Sequence, residues 1–260
     1  MRVDTSPKTA KSRRHPPALA NDCALFLDVD GTLAEHVARP DDVEIDAELM
    51  RALPGVAVYL GHALALVTGR SIAGVDRLFP RLILPMAGQH GSERRDANGV
   101  VHAYAPDPDT YGRMRKSLQS LAGRHAGVFL EDKGSTLALH YRDAPQLAGH
   151  IHRVLRSFAA TIGGGSFGLQ PGKWMLELRS RSRDKGTAIA EFMSEAPFAG
   201  RRPVFVGDDR ADEHGFAVVD RAGGWSVKVG TGRTDARYRL PDIAAVRRWV
   251  LAPIVHGASN

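Results

Sequence analysis

The sequence predicts an α/β fold: a parallel sheet flanked by helices, with a smaller α+β unit inserted into it. Three observations carry that expectation. Short apolar runs alternate with helical segments at both ends of the chain, and several of them end in Asp, Thr or Gly. The middle stretch instead reads helix, hairpin, helix, hairpin, punctuated by Pro106, Pro108 and Gly163-Gly164-Gly165. No internal repeat of solenoid period is present.

Taken in order, Ala24–Leu27 reads as a buried strand that ends in Asp28-Val29-Asp30-Gly31-Thr32. Side chains alternate along extended backbone, so Asp28 and Asp30 are expected on the same side, and Gly31 permits a sharp turn after them. A helical pattern covers Ala47–Leu60, followed by a strand over Ala63–Val67 and a helix opened by Ser71 as N-cap. Leu82–Met86 reads as a third strand. Parallel sheets place their sites at the C-terminal ends of strands, where Asp28 and Thr68 fall. In the middle, a helix is expected over Thr110–His125. Strands at Val128–Glu131 and Thr136–Arg142 would then turn through Asp132-Lys133-Gly134-Ser135. A second helix spans Ala144–Ala160, and a second hairpin pairs Phe167–Gln170 with Trp174–Leu178 around Pro171-Gly172. The α/β pattern resumes at Lys185–Met193, Val204–Val206 and Trp225–Val229. The expected division is an arm over 1–21, a core over 22–106 and 181–260, and the insertion over 107–180. The linkers would be Ala105–Asp109 and Ser180–Asp184.

Composition bounds the function classes. Of the formal net charge of +6, the first twenty residues supply Arg2, Lys8, Lys11, Arg13 and Arg14 against Asp4 alone. The basic balance therefore mostly reports an N-terminal arm, which is expected to be disordered and is weak evidence for nucleic-acid binding. That arm lacks the apolar core of a secretory signal, and no run approaches the roughly 20 apolar residues of a membrane span. Cys23 is the only cysteine, which excludes an intrachain disulfide and argues against a cysteine-based metal site. A cytoplasmic protein is expected, with no nucleic-acid or membrane partner. The oligomeric state is open in the sequence, a monomer being the expectation.

Four segments carry chemistry. Asp28 and Asp30 are like charges that resist joint ionisation unless a cation or a reaction uses them. They suit a nucleophile beside a general acid near a divalent metal, although a DxDG after a strand also suits an Asx turn. Val67-Thr68-Gly69-Arg70 places a hydroxyl and backbone N–H groups where phosphate oxygens could bind, or where an ST turn would form. Lys185 opens a helix in Arg183-Asp184-Lys185-Gly186, a mildly unfavourable place for a cation unless an anion lies nearby. The alternative is an exposed lysine. Val206-Gly207-Asp208-Asp209 ends a strand in carboxylates, with Asp212 and Glu213 following. Hard oxygen ligands of this kind suit Mg²⁺, or a charged loop that caps a helix.

The order DxDGT, TGR, KG, GDD at strand and helix ends resembles the four signatures of the haloacid dehalogenase superfamily, over residues 22 to 250. The resemblance implies a Rossmannoid core with a parallel sheet and an inserted α+β cap of the C2 type. It also implies that Asp28 is a nucleophile forming an aspartyl-phosphate and that Asp30 protonates the leaving alcohol. Thr68 and Lys185 would hold the phosphoryl group. Mg²⁺ would be bound by the carboxylates of Asp28 and Asp208 and the carbonyl of Asp30, with Asp209 and Asp212 left open as further contributors. Four longer stretches are more specific: Gly88-Gln89-His90-Gly91-Ser92-Glu93-Arg94; Glu131-Asp132-Lys133-Gly134 with Leu137–Arg142; Gly172-Lys173-Trp174 with Glu177-Leu178-Arg179; and Gly207–Glu213. Together they resemble the trehalose-6-phosphate phosphatase family, from which Ala211 and Gly215 depart, where that family commonly has threonine and alanine. This implies a sugar-phosphate substrate, trehalose 6-phosphate, with Glu131, Lys133, Lys173 and Glu177 binding the sugar from the cap. Arg70, His90 and Glu93 would line the core side. The alternatives are a sucrose-phosphate or glycosyl-phosphoglycerate phosphatase, a phosphomannomutase-like transferase, and a non-catalytic polyanion-binding protein that uses the arm.

Overall fold

The computed structural model describes residues 14–37, 42–80, 82–104, 107–164, 166–172 and 174–257. Lys173, Ala105, Pro106 and residues 1–13 of the expected arm lie outside the described residues. The chain is mixed α/β, with a mostly parallel sheet and a separate antiparallel one, and it divides into two compact units. One comprises the chain up to Leu64 together with everything from Pro197 onward; the other runs from Ala65 to Ala196.

In the first unit, β1 (Cys23–Leu27) and helix α1 (Ala47–Tyr59) come first, and β2 (Leu64–Val67) starts at the boundary. Every residue of β1 is buried, as a strand covered on both faces requires. The second unit continues with α2 (Ile72–Leu78), β3 (Met86–Gly88), β4 (Glu93–Arg95) and β5 (Val101–Ala103). Ser71 caps α2 as expected, its hydroxyl accepting from the Gly74 N–H at 3.1 Å. β2 and β3 are parallel, whereas β3, β4 and β5 form an antiparallel meander. The third strand thus lies later than Leu82–Met86 suggests. Pro85 has no N–H, and its carbonyl alone joins β2 by accepting from Leu66 at 3.1 Å.

The inserted stretch contains α3 (Pro108–Gly123), β6 (Phe129–Asp132), β7 (Leu137–His140), α4 (Ala148–Thr161), β8 (Phe167–Gly172) and β9 (Met175–Ser180). The two hairpins merge into one antiparallel sheet of order β6-β7-β9-β8. Leu137, Leu139, Leu176 and Leu178 from that sheet pack with Met114 and Leu118 of α3 and with Ile151 and Leu155 of α4. This is a hydrophobic core within residues 107–180. Strand alternation leaves Glu131, Ala138 and Glu177, register partners across three strands, on the opposite face. Gly172 pairs with Met175, so the second turn falls beyond Pro171-Gly172.

α5 (Lys185–Phe192) closes the second unit. Back in the first unit, β10 (Arg202–Gly207), α6 (Glu213–Arg221), β11 (Trp225–Val229), β12 (Tyr238–Leu240) and α7 (Ile243–Gly257) complete the chain. Here β12, β11, β10 and β1 run parallel in that order. Residues 14–21 of the expected arm are held to this unit. The Trp249 indole donates to the Pro17 carbonyl at 2.8 Å, Tyr59 donates to Leu19, and Leu19 is buried.

Candidate active site

The first unit gathers carboxylates where β1 and β10 end side by side. Leu27 is the register partner of Val206, so Asp28 follows the end of β1 beside Gly207, the last residue of β10, and Asp208 comes next. Asp28, Asp208 and Asp212 each offer a carboxylate oxygen within 4.8 Å of the others, and Asp28 and Asp212 are buried. Gly207 makes this approach feasible, because a Cβ there would lie 2.3 Å from the Asp212 carboxyl carbon. Asp212 does not cap α6 with its side chain. Its carboxylate instead accepts from the Asp209 N–H at 2.9 Å, and Asp209 accepts from Ala211 and Asp212 in its own loop.

These residues fit a divalent cation. Three close carboxylates repel one another in a buried setting, and Oδ1 of Asp208 is buried with no hydrogen-bond partner among the described residues. Two neighbours missed from the sequence adjoin this cluster. His36 meets Asp208 Oδ2 at 2.9 Å, and that hydrogen bond raises its affinity for a proton; burial opposes the shift, and the charges of Asp208, Asp30 and Asp28 reinforce it. Lys228 is buried and donates to the carbonyls of Asp208 and Val229. Burial pulls its pKa down while the surrounding aspartates oppose that. A lysine inside the apolar strand β11 was the only signal for it.

Asp30 stays in the first unit, where its backbone bridges to Ala34, and the second unit holds the other described predicted residues in two groups. Thr68, fully buried at the end of β2, accepts from the Arg70 N–H at 3.1 Å, so the ST turn is present. Glu93 accepts from the Ile72 N–H at 2.6 Å, which adds a carboxylate to the N-terminus of α2. Lys185 is not the exposed lysine of the alternative reading: it is 2% exposed, in the first turn of α5. Asp184 and Thr187 form a capping box that sets where that helix starts.

The other group is centred on Glu177 of β9. Its carboxylate accepts from Thr136 at 2.6 Å, meets Lys133 Nζ at 3.3 Å and lies 3.7 Å from His90. Burial opposes its charge, but His90, Lys133 and Thr136 outweigh burial and hold the carboxyl well below the usual range. Glu131 is engaged by His140 at 2.8 Å, which lowers its pKa. The His90 ring lies over Gly69, where a Cβ would come within 2.8 Å of it, and Nδ1 of His90 has no hydrogen-bond partner among the described residues. Thus Lys133, Glu177 and His90 come together within this unit, Arg70 follows Thr68 in the same turn, and Lys173 is outside the described residues. Gln89, buried beside His90, was not singled out from the sequence for a role.

Comparison with known proteins finds relatives along most of the chain. A family model described as trehalose-phosphatase matches residues 26–244. The chain is 43% identical over 242 residues to a trehalose-6-phosphate phosphatase from Escherichia coli strain K12, covering 90% of this chain and 87% of that one. A probable trehalose-phosphate phosphatase from Sinorhizobium fredii is 39% identical over 231 residues, covering 88% and 86%. Among solved structures, the C-terminal domain of a C. albicans trehalose-6-phosphate phosphatase matches with a TM-score of 0.77 at 18% identity, covering 92% of this chain and 93% of that one. A trehalose-6-phosphate phosphatase related protein matches at 0.73 and 24%, covering 90% and 98%. These two likenesses bear on the fold.

Proposed function

The chain belongs to the trehalose-phosphatase family, and from that premise we propose that it hydrolyses trehalose 6-phosphate to trehalose and phosphate in a Mg²⁺-dependent reaction through an aspartyl-phosphate on Asp28. The observation that carries the chemistry is the cluster of Asp28, Asp208 and Asp212 at adjoining strand ends. Asp28, Asp208 and Asp212 would hold the cation, with the Asp30 carbonyl implied by the family motif. When bound, it would neutralise charge on the phosphoryl oxygens and on the nucleophile. A carboxylate oxygen of Asp28 attacks phosphorus, the bond to the sugar oxygen breaks, and Asp30 gives that oxygen its proton. Asp30 then takes a proton from water, which attacks phosphorus and frees Asp28 and inorganic phosphate. Thr68 and Lys185 hold the transferring group, since phosphoryl transfer depends chiefly on positioning and charge stabilisation. Burial of Lys185 supports this, because water screens its charge little there.

Glu131, Lys133, Lys173 and Glu177 are assigned to the sugar hydroxyls, with Arg70, His90 and Glu93 beside them. The charged pair of Lys133 with Glu177 supports that assignment. A cytoplasmic setting belongs to the same proposal. No helix among the described residues is long and apolar enough to cross a membrane, and the single cysteine suits a reducing compartment.

The test is stereochemical. A phosphorothioate analogue of trehalose 6-phosphate, chiral at phosphorus with two oxygen isotopes and hydrolysed in water carrying the third, should give chiral thiophosphate with net retention, since two displacements each invert the centre. Net inversion means direct attack by water and removes the aspartyl-phosphate.

A further inference from the structure

In the loop after β3, two side-chain-bearing residues in succession have left-handed backbone: Gln89 at φ 46° and His90 at φ 54°, followed by Gly91 at 94°. That conformation is unfavourable for residues with a Cβ and persists only where surrounding contacts over-determine it. The contacts run in three directions. The N–H groups of Gln89 and His90 donate to the carbonyls of Arg70 at 2.8 Å and Thr68 at 3.0 Å. The Gly91 carbonyl accepts from Arg183 at 3.0 Å, two residues before Lys185.

The third direction is toward the β6–β7 turn. Gln89 Nε2 donates to the Lys133 carbonyl at 2.8 Å, and Gln89 Oε1 accepts from the Ser135 hydroxyl at 2.5 Å. Gln89 is 4% exposed, so water does not compete for either bond. An apolar side chain would fill the same volume; a glutamine with both ends of its amide used adds orientation instead.

We propose that Gln89 is a positioning residue: it latches the Lys133–Ser135 turn to the Thr68–Arg70 loop, so that the groups assigned to the sugar and to the phosphate act as one receptor. The inference rests on the trehalose-phosphatase reading and adds to it a residue which the family motifs leave without a role.

The experiment compares Gln89→Met, which keeps the side-chain length and loses both hydrogen bonds, with Ser135→Ala, which loses one. KM for trehalose 6-phosphate, the inhibition constant of inorganic phosphate and the thermal midpoint are measured on each full-length variant. Gln89→Met should raise KM about tenfold, the scale of one to two hydrogen bonds, and leave the phosphate constant within about twofold. Ser135→Ala should raise KM about threefold in the same selective way, and it carries the test if Gln89→Met does not fold. Amide exchange over residues 133–136 should accelerate in both variants, a readout that needs no substrate. A rise in KM matched by the phosphate constant marks a merely structural residue and overturns the latch, as does unchanged KM with unchanged exchange. Wild-type protein that releases no phosphate from trehalose 6-phosphate, yet shows the exchange response, would overturn the reading of function and leave the latch.

Discussion

At Glu177, burial disfavours the charge while Thr136, Lys133 and His90 favour it, and the partners prevail. The folded-state pKa is lowered relative to an unfolded value of about 4.3. Its stabilising contribution is therefore fully present above that value and is lost as pH falls through the folded pKa. Glu177→Gln should destabilise the protein by about 2 kcal/mol at pH 7, and the deficit should shrink as the pH drops below about 4. Urea unfolding at several pH values reads this, and a deficit independent of pH down to the acid transition would count against it. Part of this scale was legible: Asp28 and Asp208 stand in segments singled out for their carboxylates and fall in one cluster, and Lys133 and Glu177, picked out by family resemblance, are paired. His36, Lys228 and Gln89 were not. Their partners are distant in sequence, as with His36 and Asp208, or are carbonyls that carry no sequence signal.

Elements with an apolar period were read within a few residues, as at β1, α2 and β11, because burial on a sheet or helix face leaves that period in the sequence. β4 escaped since its sequence is Glu-Arg-Arg. Arg95 is buried through a two-pronged bond to Asp76 at 2.9 Å and a further bond to the Leu84 carbonyl, and Arg94 pairs with Glu191 and Glu195. Charges satisfied in pairs let a strand be buried without an apolar pattern. The capping box at α5 belongs to the same scale. Asp184→Ala should cost about 1 kcal/mol, or roughly 2–4 °C in melting temperature for a chain of this size. Differential scanning calorimetry tests it; an unchanged midpoint would show that the start of the helix is fixed by other contacts.

For the molecule as a whole, basic charge is concentrated ahead of the catalytic body. Removing residues 1–13 takes away Arg2, Lys8, Lys11 and Arg13 but spares the anchors at Pro17 and Leu19. Retention on heparin should fall while kcat/KM stays within about twofold, since no residue assigned to catalysis or substrate binding falls within 1–13. Retention that survives the deletion would point to a polyanion site on the body. The two hairpins of the insertion were legible in the alternation of elements along the chain, whereas the compact units, divided after Leu64 and before Pro197, do not follow the expected limits of 107–180. The merging of two hairpins into one sheet was not legible, because strand order depends on pairings between residues far apart in sequence. The central claim concerns substrate and chemistry together, and one assay addresses both. Phosphate release is measured from trehalose 6-phosphate, sucrose 6-phosphate, glucose 6-phosphate and mannose 6-phosphate, each with Mg²⁺, with EDTA, and with Asp28→Asn. The expected result is release that favours trehalose 6-phosphate by at least about a hundredfold in kcat/KM. It should vanish with EDTA and fall by at least about a thousandfold in Asp28→Asn. Equal turnover of all four sugars, or near-normal turnover by Asp28→Asn, would contradict the account.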